Sequence, residues 1–139
     1  MRAGLWPCWA MLRPLLFALA LAFPVMAGAQ TIRLVSEKSS FQIALEGKRP
    51  VLVLFQGKKC AACRAVEQWL DQMSGDLDGK IDIVSLDIEE NPYTRQEFGV
   101  EGTPTMLMFI DGAQTGAMVG ATERADLRAF IARSAKIPL

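Results

Sequence analysis

The apolar residues in the first half of the chain alternate between strand-like runs and helical spacing. Residues 31–35 (TIRLV) and 51–55 (VLVLF) are β-type runs, and the second is continuously apolar, as in a strand buried on both faces of a sheet. Between them, residues 36–45 carry apolar side chains on one side of a helix, which the sequence GKRP at 47–50 breaks. The pattern predicts a strand, a helix and a second, buried strand.

The middle of the chain continues this alternation. Residues 61–73 predict a helix because their apolar positions recur at three and four, and the Ser-Gly pair at 74–75 should end it. These apolar positions are Val66, Trp69, Leu70 and Met73. The apolar run at 81–88 predicts a third strand. The Asn-Pro pair at 91–92 then opens a short helix that should end near residues 98–99.

The last third of the chain predicts a hairpin and a final helix. Residues 106–110 (MLMFI) and 114–119 flank an Asp-Gly pair at 111–112, which strongly favours a hairpin turn. Thr122 can cap the last helix. Its inward-facing residues are Leu127, Phe130 and Ile131. This order of elements is an α/β pattern, in which helices cover both faces of a central sheet within one domain.

The N-terminal residues 1–29 differ in composition from the rest of the chain. Residues 15–25 (LLFALALAFPV) are uncharged and follow two arginines, as in a signal peptide, and they are fewer than the about 20 apolar residues that span a bilayer. Residues 27–29 (AGA) supply the small residues that a signal peptidase reads. We expect cleavage near Ala29, which would place residues 30–139 in the periplasm or another exported location. An uncleaved membrane anchor is the alternative.

Cleavage would change both the charge and the cysteine content of the protein. It would remove Arg2 and Arg13 from a chain of 15 basic and 15 acidic residues, leaving 13 basic residues and a slightly acidic domain. Such a domain has no basic patch for nucleic acid. Cleavage would also remove Cys8, so Cys60 and Cys63 would be the cysteines of the mature chain, which has no histidine.

Cys60 and Cys63 lie in the sequence KKCAACR, where the buried strand ends and the next helix begins. At the first helical turn, unpaired backbone N–H groups and the helix dipole should favour Cys60 as a thiolate. Lys58, Lys59 and Arg64 add positive charge, so we expect the pKa of this thiol to fall below its usual value of about 8.5. Cys60 is therefore the predicted nucleophile, and Cys63, one turn later, the resolving thiol.

Other interpretations of the cysteine pair remain open. Zinc needs about four ligands, and the mature chain offers neither histidine nor a third cysteine, so we predict no metal. Cu(I) can bind two thiolates, but the methionines that could assist have the spacing of core positions. A structural disulfide suits an oxidising compartment, yet closing so small a loop removes little entropy from the unfolded chain.

Three segments of the chain resemble the thioredoxin family. They are VLVLFQGKKCAACR, IVSLDIEENPYTRQEFGVEGTPTMLMFIDG and VGATERADLRAFI. In order they look like the strand leading into Cys-x-x-Cys, the strand and short helix before a Thr-cis-Pro with the hairpin after it, and the last helix. The resemblance implies the thioredoxin fold, an α/β architecture whose central mixed sheet has helices on both faces. It also implies a dithiol that carries two electrons without a dissociable cofactor.

The resemblance also implies a substrate-binding edge beside the cysteines. The peptide bond before Pro104 would be cis, and the backbone of Thr103 would be free to pair with an extended substrate segment. Gly120 stands where the family keeps a small residue near the substrate groove.

The chain departs from the family's usual pattern at several positions around the cysteines. Lys59 replaces a tryptophan, the alanines at 61–62 replace Gly-Pro, Leu54 replaces a buried aspartate, and Ser85 replaces a lysine. Without the buried acid, Cys63 lacks the family's usual proton acceptor, for which water or Glu67 would have to substitute. The added positive charge favours the reduced, thiolate form and so a more oxidising disulfide, but the two alanines bring neither the ring of proline nor the donors of histidine. We therefore expect a reduction potential between those of a reductant and a strong oxidant.

These features predict a thiol–disulfide oxidoreductase acting on cysteine-containing exported proteins. We expect an envelope redox partner to reset it, reduction or exchange rather than strong oxidation, and membrane contact only if residues 1–29 stay attached. The alternative is a non-catalytic protein-binding module with a structural disulfide, whose groove lies around Pro104 and Trp69.

Overall fold

A computed structural model of the protein describes residues 32–34, 42, 45–121 and 123–139. The predicted leader at 1–29, the Thr122 cap and most of the helix predicted at 36–45 lie outside these residues. Gln42 and Leu45 of that helix are described, and both are helical. Among the described residues, no helix combines the length and the apolar character needed to cross a bilayer.

Strands and helices alternate along the described chain. The strands are β1 (Ile32–Leu34), β2 (Val51–Gln56), β3 (Asp82–Asp87), β4 (Thr105–Ile110) and β5 (Ala113–Val119). The helices are α1 (Ala61–Gln72), α2 (Ser74–Leu77), α3 (Pro92–Glu97) and α4 (Arg124–Ala135). Their order is the one predicted from the sequence, apart from the additional α2 and the helix predicted at 36–45, most of which lies outside the described residues.

The strands form a mixed sheet in the order β1-β3-β2-β4-β5. Strand β3 is parallel to both of its neighbours, β1 and β2, and β4 is antiparallel to both β2 and β5. At the centre of the sheet, Leu54 of β2 lies opposite Ser85 of β3 and Met106 of β4. The α/β class with a central mixed sheet is confirmed.

Alternate side chains of β2 enter two different hydrophobic clusters, because successive residues of a strand point to opposite faces. Leu52 and Leu54 pack with buried residues of α1 and α4. Val51, Val53 and Phe55 join the cluster on the other face. Phe98 at the end of α3 and the helical residue Leu45 pack against this second cluster. The predicted burial of β2 on both faces, under helices, is therefore confirmed.

The turns follow the local sequence. Asp111 and Gly112 both have positive φ, at 51° and 76°, as a two-residue hairpin turn matched to the strand twist requires. Pro92 occupies the start of α3, and Gly99, with φ of 62°, follows its last turn. The predicted hairpin and short helix are confirmed.

One helix end differs from the prediction. The Ser-Gly pair at 74–75 was expected to stop the helix, but α2 begins at Ser74 after a brief break at Met73. This extra turn buries Leu77 completely in the first cluster, which offsets the weak helical propensity of the pair. The N-cap position of α4 is Glu123, which makes no side-chain capping bond.

Helix α4 packs closely against β5. A Cβ atom added at Gly116 would clash with Ser134 Oγ and lie 3.1 Å from Phe130 Cε2. The Thr115 hydroxyl donates a hydrogen bond to the Ser134 carbonyl at 2.9 Å. Leu127, Phe130 and Ile131 of α4 are buried, as predicted.

Candidate active site

Cys60 and Cys63 form a disulfide at the start of α1, with their Cα atoms 5.2 Å apart. Cys60 is the N-cap residue, and its Sγ accepts a hydrogen bond from the backbone N–H of Cys63 at 3.0 Å. Cys60 is half-buried, whereas Cys63 is only 2% exposed. The predicted placement at the helix start, with Cys63 the less accessible sulfur, agrees with this geometry.

A shallow groove of about 410 Å³ runs beside Cys60. It is lined by Gly57, Lys59, Cys60, Ala61, Ala62, Ile88, Glu89 and Thr103. A larger cavity, of about 580 Å³, lies at the other end of the sheet, between Gln42, residues 45–48 and the hairpin turn, and contains neither cysteine. The smaller groove is the relevant one because it brings Thr103 to the dithiol.

Thr103 and Pro104 are joined by a cis peptide bond, as the resemblance implied. Thr103 is half-buried, and its Oγ1 would lie 3.5 Å from a Cβ atom added at Gly57, in the loop just before Cys60. The Gly120 N–H donates to the Pro104 carbonyl at 2.7 Å, and Gly120 has a φ of 68°. The predicted substrate-binding residues therefore meet at one end of the sheet.

The three predicted cations occupy different surroundings. Lys58 forms an ion pair with Glu90, at 3.2 Å between Nζ and Oε1. The hydrogen bond and charge of Glu90 raise the pKa of Lys58 above its usual value, and Asp87 adds to this effect. Lys59 and Arg64 are exposed and form no ion pair within the part of the chain that the structure describes. The positive charge of Lys58 is therefore largely balanced by Glu90, whereas Lys59 and Arg64 have no such partner among the described residues.

No acid lies at the buried positions beneath the start of α1. Leu54 and Ser85 are register partners in neighbouring strands and are 0% and 1% exposed. Ser85 Oγ has no hydrogen-bond partner among the described residues. Glu67, one turn beyond Cys63 on α1, is half-buried. Because position 54 is a leucine, it offers no carboxylate that could accept a proton from Cys63.

Sequence reasoning missed the acidic loop beside the groove. Glu89 lines the groove, and Asp87 shapes the loop by accepting hydrogen bonds from the backbone N–H groups of Glu89 and Glu90, at 2.7 and 3.2 Å. A signal for this was present, because β2 and β3 are adjacent parallel strands whose C-terminal ends meet at one edge. The acidic run after β3 had to lie near the cysteines after β2.

The described residues contain no group of three or more His, Cys, Asp or Glu side chains placed to hold a metal ion.

Comparison with known proteins agrees with this geometry. The sequence profile of the family described as Thioredoxin matches residues 32–133, which is more than half of the chain. The chain belongs to the thioredoxin family.

Three thioredoxins illustrate the similarity. The chain is 35% identical to the thioredoxin of Pseudomonas aeruginosa over 97 residues, covering 70% of this chain and 90% of that protein. It is 34% identical to the thioredoxin of Synechocystis over 93 residues, covering 67% and 87%. Identity with thioredoxin C-2 of Corynebacterium nephridii is 37% over 87 residues, covering 63% and 81%.

As a thioredoxin-family protein, the chain is a protein-disulfide oxidoreductase. The disulfide between Cys60 and Cys63 has the two-residue spacing that this chemistry uses.

Proposed function

We propose that this thioredoxin-family protein is an exported oxidoreductase that reduces or exchanges disulfides in cysteine-containing exported proteins. The observation that carries the proposal is the disulfide at the N-terminus of α1, with Cys60 beside an open groove and Cys63 shielded. Export and the class of substrate rest on the composition of residues 1–29.

In the proposed reaction, the reduced pair transfers two electrons to a substrate disulfide. The Cys60 thiolate attacks one substrate sulfur, the substrate S–S bond breaks, and the departing thiolate takes a proton. Cys63 then loses its proton and attacks Cys60 Sγ, which releases the second substrate thiol and forms the intramolecular disulfide. A dithiol partner in the envelope must supply two electrons, and one proton must return to Cys63, to restore the Cys60 thiolate and the Cys63 thiol.

The division of roles is supported by access and by the helix terminus. A protein substrate can reach Cys60 in its groove, whereas Cys63 is almost completely buried. The backbone N–H of Cys63 already donates to Cys60 Sγ and would stabilise negative charge on that sulfur when it is a thiolate. Substrate would pair with the backbone of Thr103, next to Gly120.

The direction of electron flow is argued from the charges near Cys60. Because Glu90 balances Lys58, less net positive charge stabilises the reduced, thiolate-bearing form. A less stabilised reduced form makes a disulfide a weaker oxidant. The ion pair therefore favours reduction or exchange over strong oxidation.

A trapping experiment tests the proposal. In Cys63→Ala, the mixed disulfide formed by Cys60 has no resolving thiol, so adducts should accumulate in an extract of exported proteins and disappear on addition of dithiothreitol. Cys60→Ala is the matched control, because its remaining thiol is shielded and should capture little. Absence of adducts in Cys63→Ala would contradict the proposed activity, and recovery of cytosolic protein with residues 1–29 intact would contradict export.

One observation favours a second candidate, a non-catalytic binding module. Leu54 and Ser85 leave no buried acid to help Cys63, which suits a pair that stays oxidised. Its groove would lie beside Pro104 rather than Trp69, because Trp69 packs against the first hydrophobic cluster and does not line the groove. Unchanged cellular function after replacing both cysteines by serine would favour this candidate.

A further inference from the structure

Arg95 joins helix α3 to the segment that leads to Thr103. Its Nε donates a hydrogen bond to the Val100 carbonyl at 2.9 Å, and its Nη2 donates to the Glu101 carbonyl at 3.4 Å. The backbone N–H of Val100 in turn donates to the Arg95 carbonyl at 2.9 Å. One side chain therefore holds two successive carbonyls, two and three residues before Thr103.

The helix that carries Arg95 packs against the sheet through an aromatic cluster. Phe98, its C-cap residue, packs against Phe55 and Phe109 of the sheet, with ring centroids 6.3 and 5.5 Å apart. Val100 is 4% exposed and belongs to the same cluster. The guanidinium is thus fixed relative to the sheet, and the carbonyls it binds are fixed relative to the guanidinium.

The segment is also held by hydrogen bonds from residues that follow Thr103. The Thr105 hydroxyl donates to the Gly102 carbonyl at 2.7 Å, and the Pro104 carbonyl accepts the Gly120 N–H. Gly102, directly before Thr103, has no side chain to restrict the backbone. The two hydrogen bonds from the Arg95 guanidinium hold the backbone on the N-terminal side of Gly102.

We infer that Arg95 is a positioning residue for substrate docking. By holding the carbonyls of Val100 and Glu101, it orients the backbone of Thr103 toward the groove beside Cys60. Arginine suits this role because its planar guanidinium presents several donors in a rigid fork, whereas lysine has a single ammonium. This inference rests on the proposed function, in which the Thr103 backbone pairs with an extended substrate.

The experiment separates docking from the chemistry of the dithiol. Wild type, Arg95→Met and Arg95→Lys are assayed with two oxidants. The first is a disulfide-bonded peptide, with dithiothreitol regenerating the dithiol. The second is the small aromatic disulfide dithiobis(nitrobenzoate), mixed in a single turnover with protein that was reduced beforehand and freed of dithiothreitol, because dithiothreitol would reduce this disulfide directly. Arg133→Met, which removes an exposed arginine from α4, is the matched control.

We expect Arg95→Met to raise KM for the peptide about tenfold, the effect of losing one or two net hydrogen bonds. Its kcat should stay within about twofold, because Arg95 does not contact the sulfur atoms. The rate with the small disulfide and the glutathione equilibrium of the cysteine pair should be unchanged. Arg95→Lys should fall between wild type and Arg95→Met, and Arg133→Met should match wild type.

An unchanged peptide KM in Arg95→Met would overturn the inference, as would equal losses with both disulfides, which indicate general damage to the fold. If Arg95→Met does not fold, Arg95→Lys decides, and a wild-type KM in that variant overturns the inference. If the wild-type protein reduces neither disulfide, the proposed function itself has failed, which is a distinct result.

Discussion

At the scale of single residues, the environment of Cys60 depends on which charges are already paired. Two lysines precede Cys60 in sequence, yet Lys58 is bound by Glu90 while Lys59 lines the groove. An exposed ion pair contributes little to stability, but it changes the net charge within a few residues of a reactive sulfur. Glu90 therefore affects the redox chemistry more than the fold.

Glu90→Gln is expected to make the disulfide more oxidising, by on the order of 10 mV. The neutral amide no longer balances Lys58, so the added positive charge favours the reduced thiolate form. The measurement is the equilibrium with glutathione, followed by alkylation of free thiols.

Two other variants test the sign of this effect. Lys59→Gln removes a groove-lining cation and should move the potential in the opposite, more reducing direction. Glu46→Gln, at the far end of the sheet, should leave it unchanged. A Glu90→Gln potential equal to or below that of wild type would show that Lys58 does not act on Cys60.

The buried hydroxyl of Ser85 makes no hydrogen bond with the described residues. A buried hydroxyl without a partner costs about 1–3 kcal/mol in desolvation. Ser85→Ala should therefore leave the free energy of unfolding unchanged or raise it by about 1 kcal/mol, measured by urea denaturation. A loss of more than about 1 kcal/mol would mean that the hydroxyl has a partner, such as buried water.

At the scale of helices and strands, the contact between α4 and β5 depends on a missing side chain. Gly116→Ala should lower the free energy of unfolding by about 1–3 kcal/mol, because the new methyl group would meet Ser134 and Phe130. Urea denaturation at neutral pH measures this change.

Gly75→Ala is the control for this prediction. A Cβ atom at Gly75 would meet no heavy atom within 4 Å, so alanine should be neutral or slightly stabilising there. Equal stability of the two variants would show that α4 can shift to accommodate the methyl group.

Most elements could be predicted because their signals are local. The apolar run of β2, the Asp-Gly turn and the proline of α3 each act within a few residues. Helix α2 was missed because it has four residues, and only Leu77 among them is buried. Its formation depends on the burial of Leu77 in the first hydrophobic cluster, and the spacing of apolar residues in the sequence does not reveal that contact.

The candidate site divides in the same way. Cys60 could be placed at a helix start because the strand and the helix on either side have clear patterns. The contacts of Lys58 with Glu90 and of Arg95 with the loop before Thr103 could not be predicted. The first joins loops after two different strands, and the second depends on the path of a loop without regular structure.

At the scale of the whole molecule, an ion pair between two helices that are distant in sequence makes the stability of the protein depend on pH in the acidic range. Arg128 of α4 binds Asp76 of α2 at 2.6 Å, mainly through a hydrogen bond that lowers the pKa of this carboxyl group. A group with a lowered folded-state pKa contributes stability above its unfolded pKa of about 3.9. That contribution is lost as the pH falls through the folded-state value.

Asp76→Asn tests this linkage. The variant should be slightly less stable than wild type at neutral pH, and the difference should shrink toward zero as the pH falls through the lowered pKa of Asp76 and the wild-type carboxyl is protonated. Urea denaturation of both proteins across this range measures it. A difference that stays constant with pH would mean that the pair does not act through the charge of Asp76.

The burial of Cys63 beneath an accessible Cys60 also bears on damage by peroxides. When the pair is reduced, an oxidant reaches Cys60 first and converts it to a sulfenic acid. The thiol one helical turn away can condense with this group, forming the intramolecular disulfide and releasing water. The first product of oxidative injury is then the ordinary oxidised form of the protein, and irreversible sulfinic and sulfonic acids are avoided for as long as the neighbouring thiol responds first.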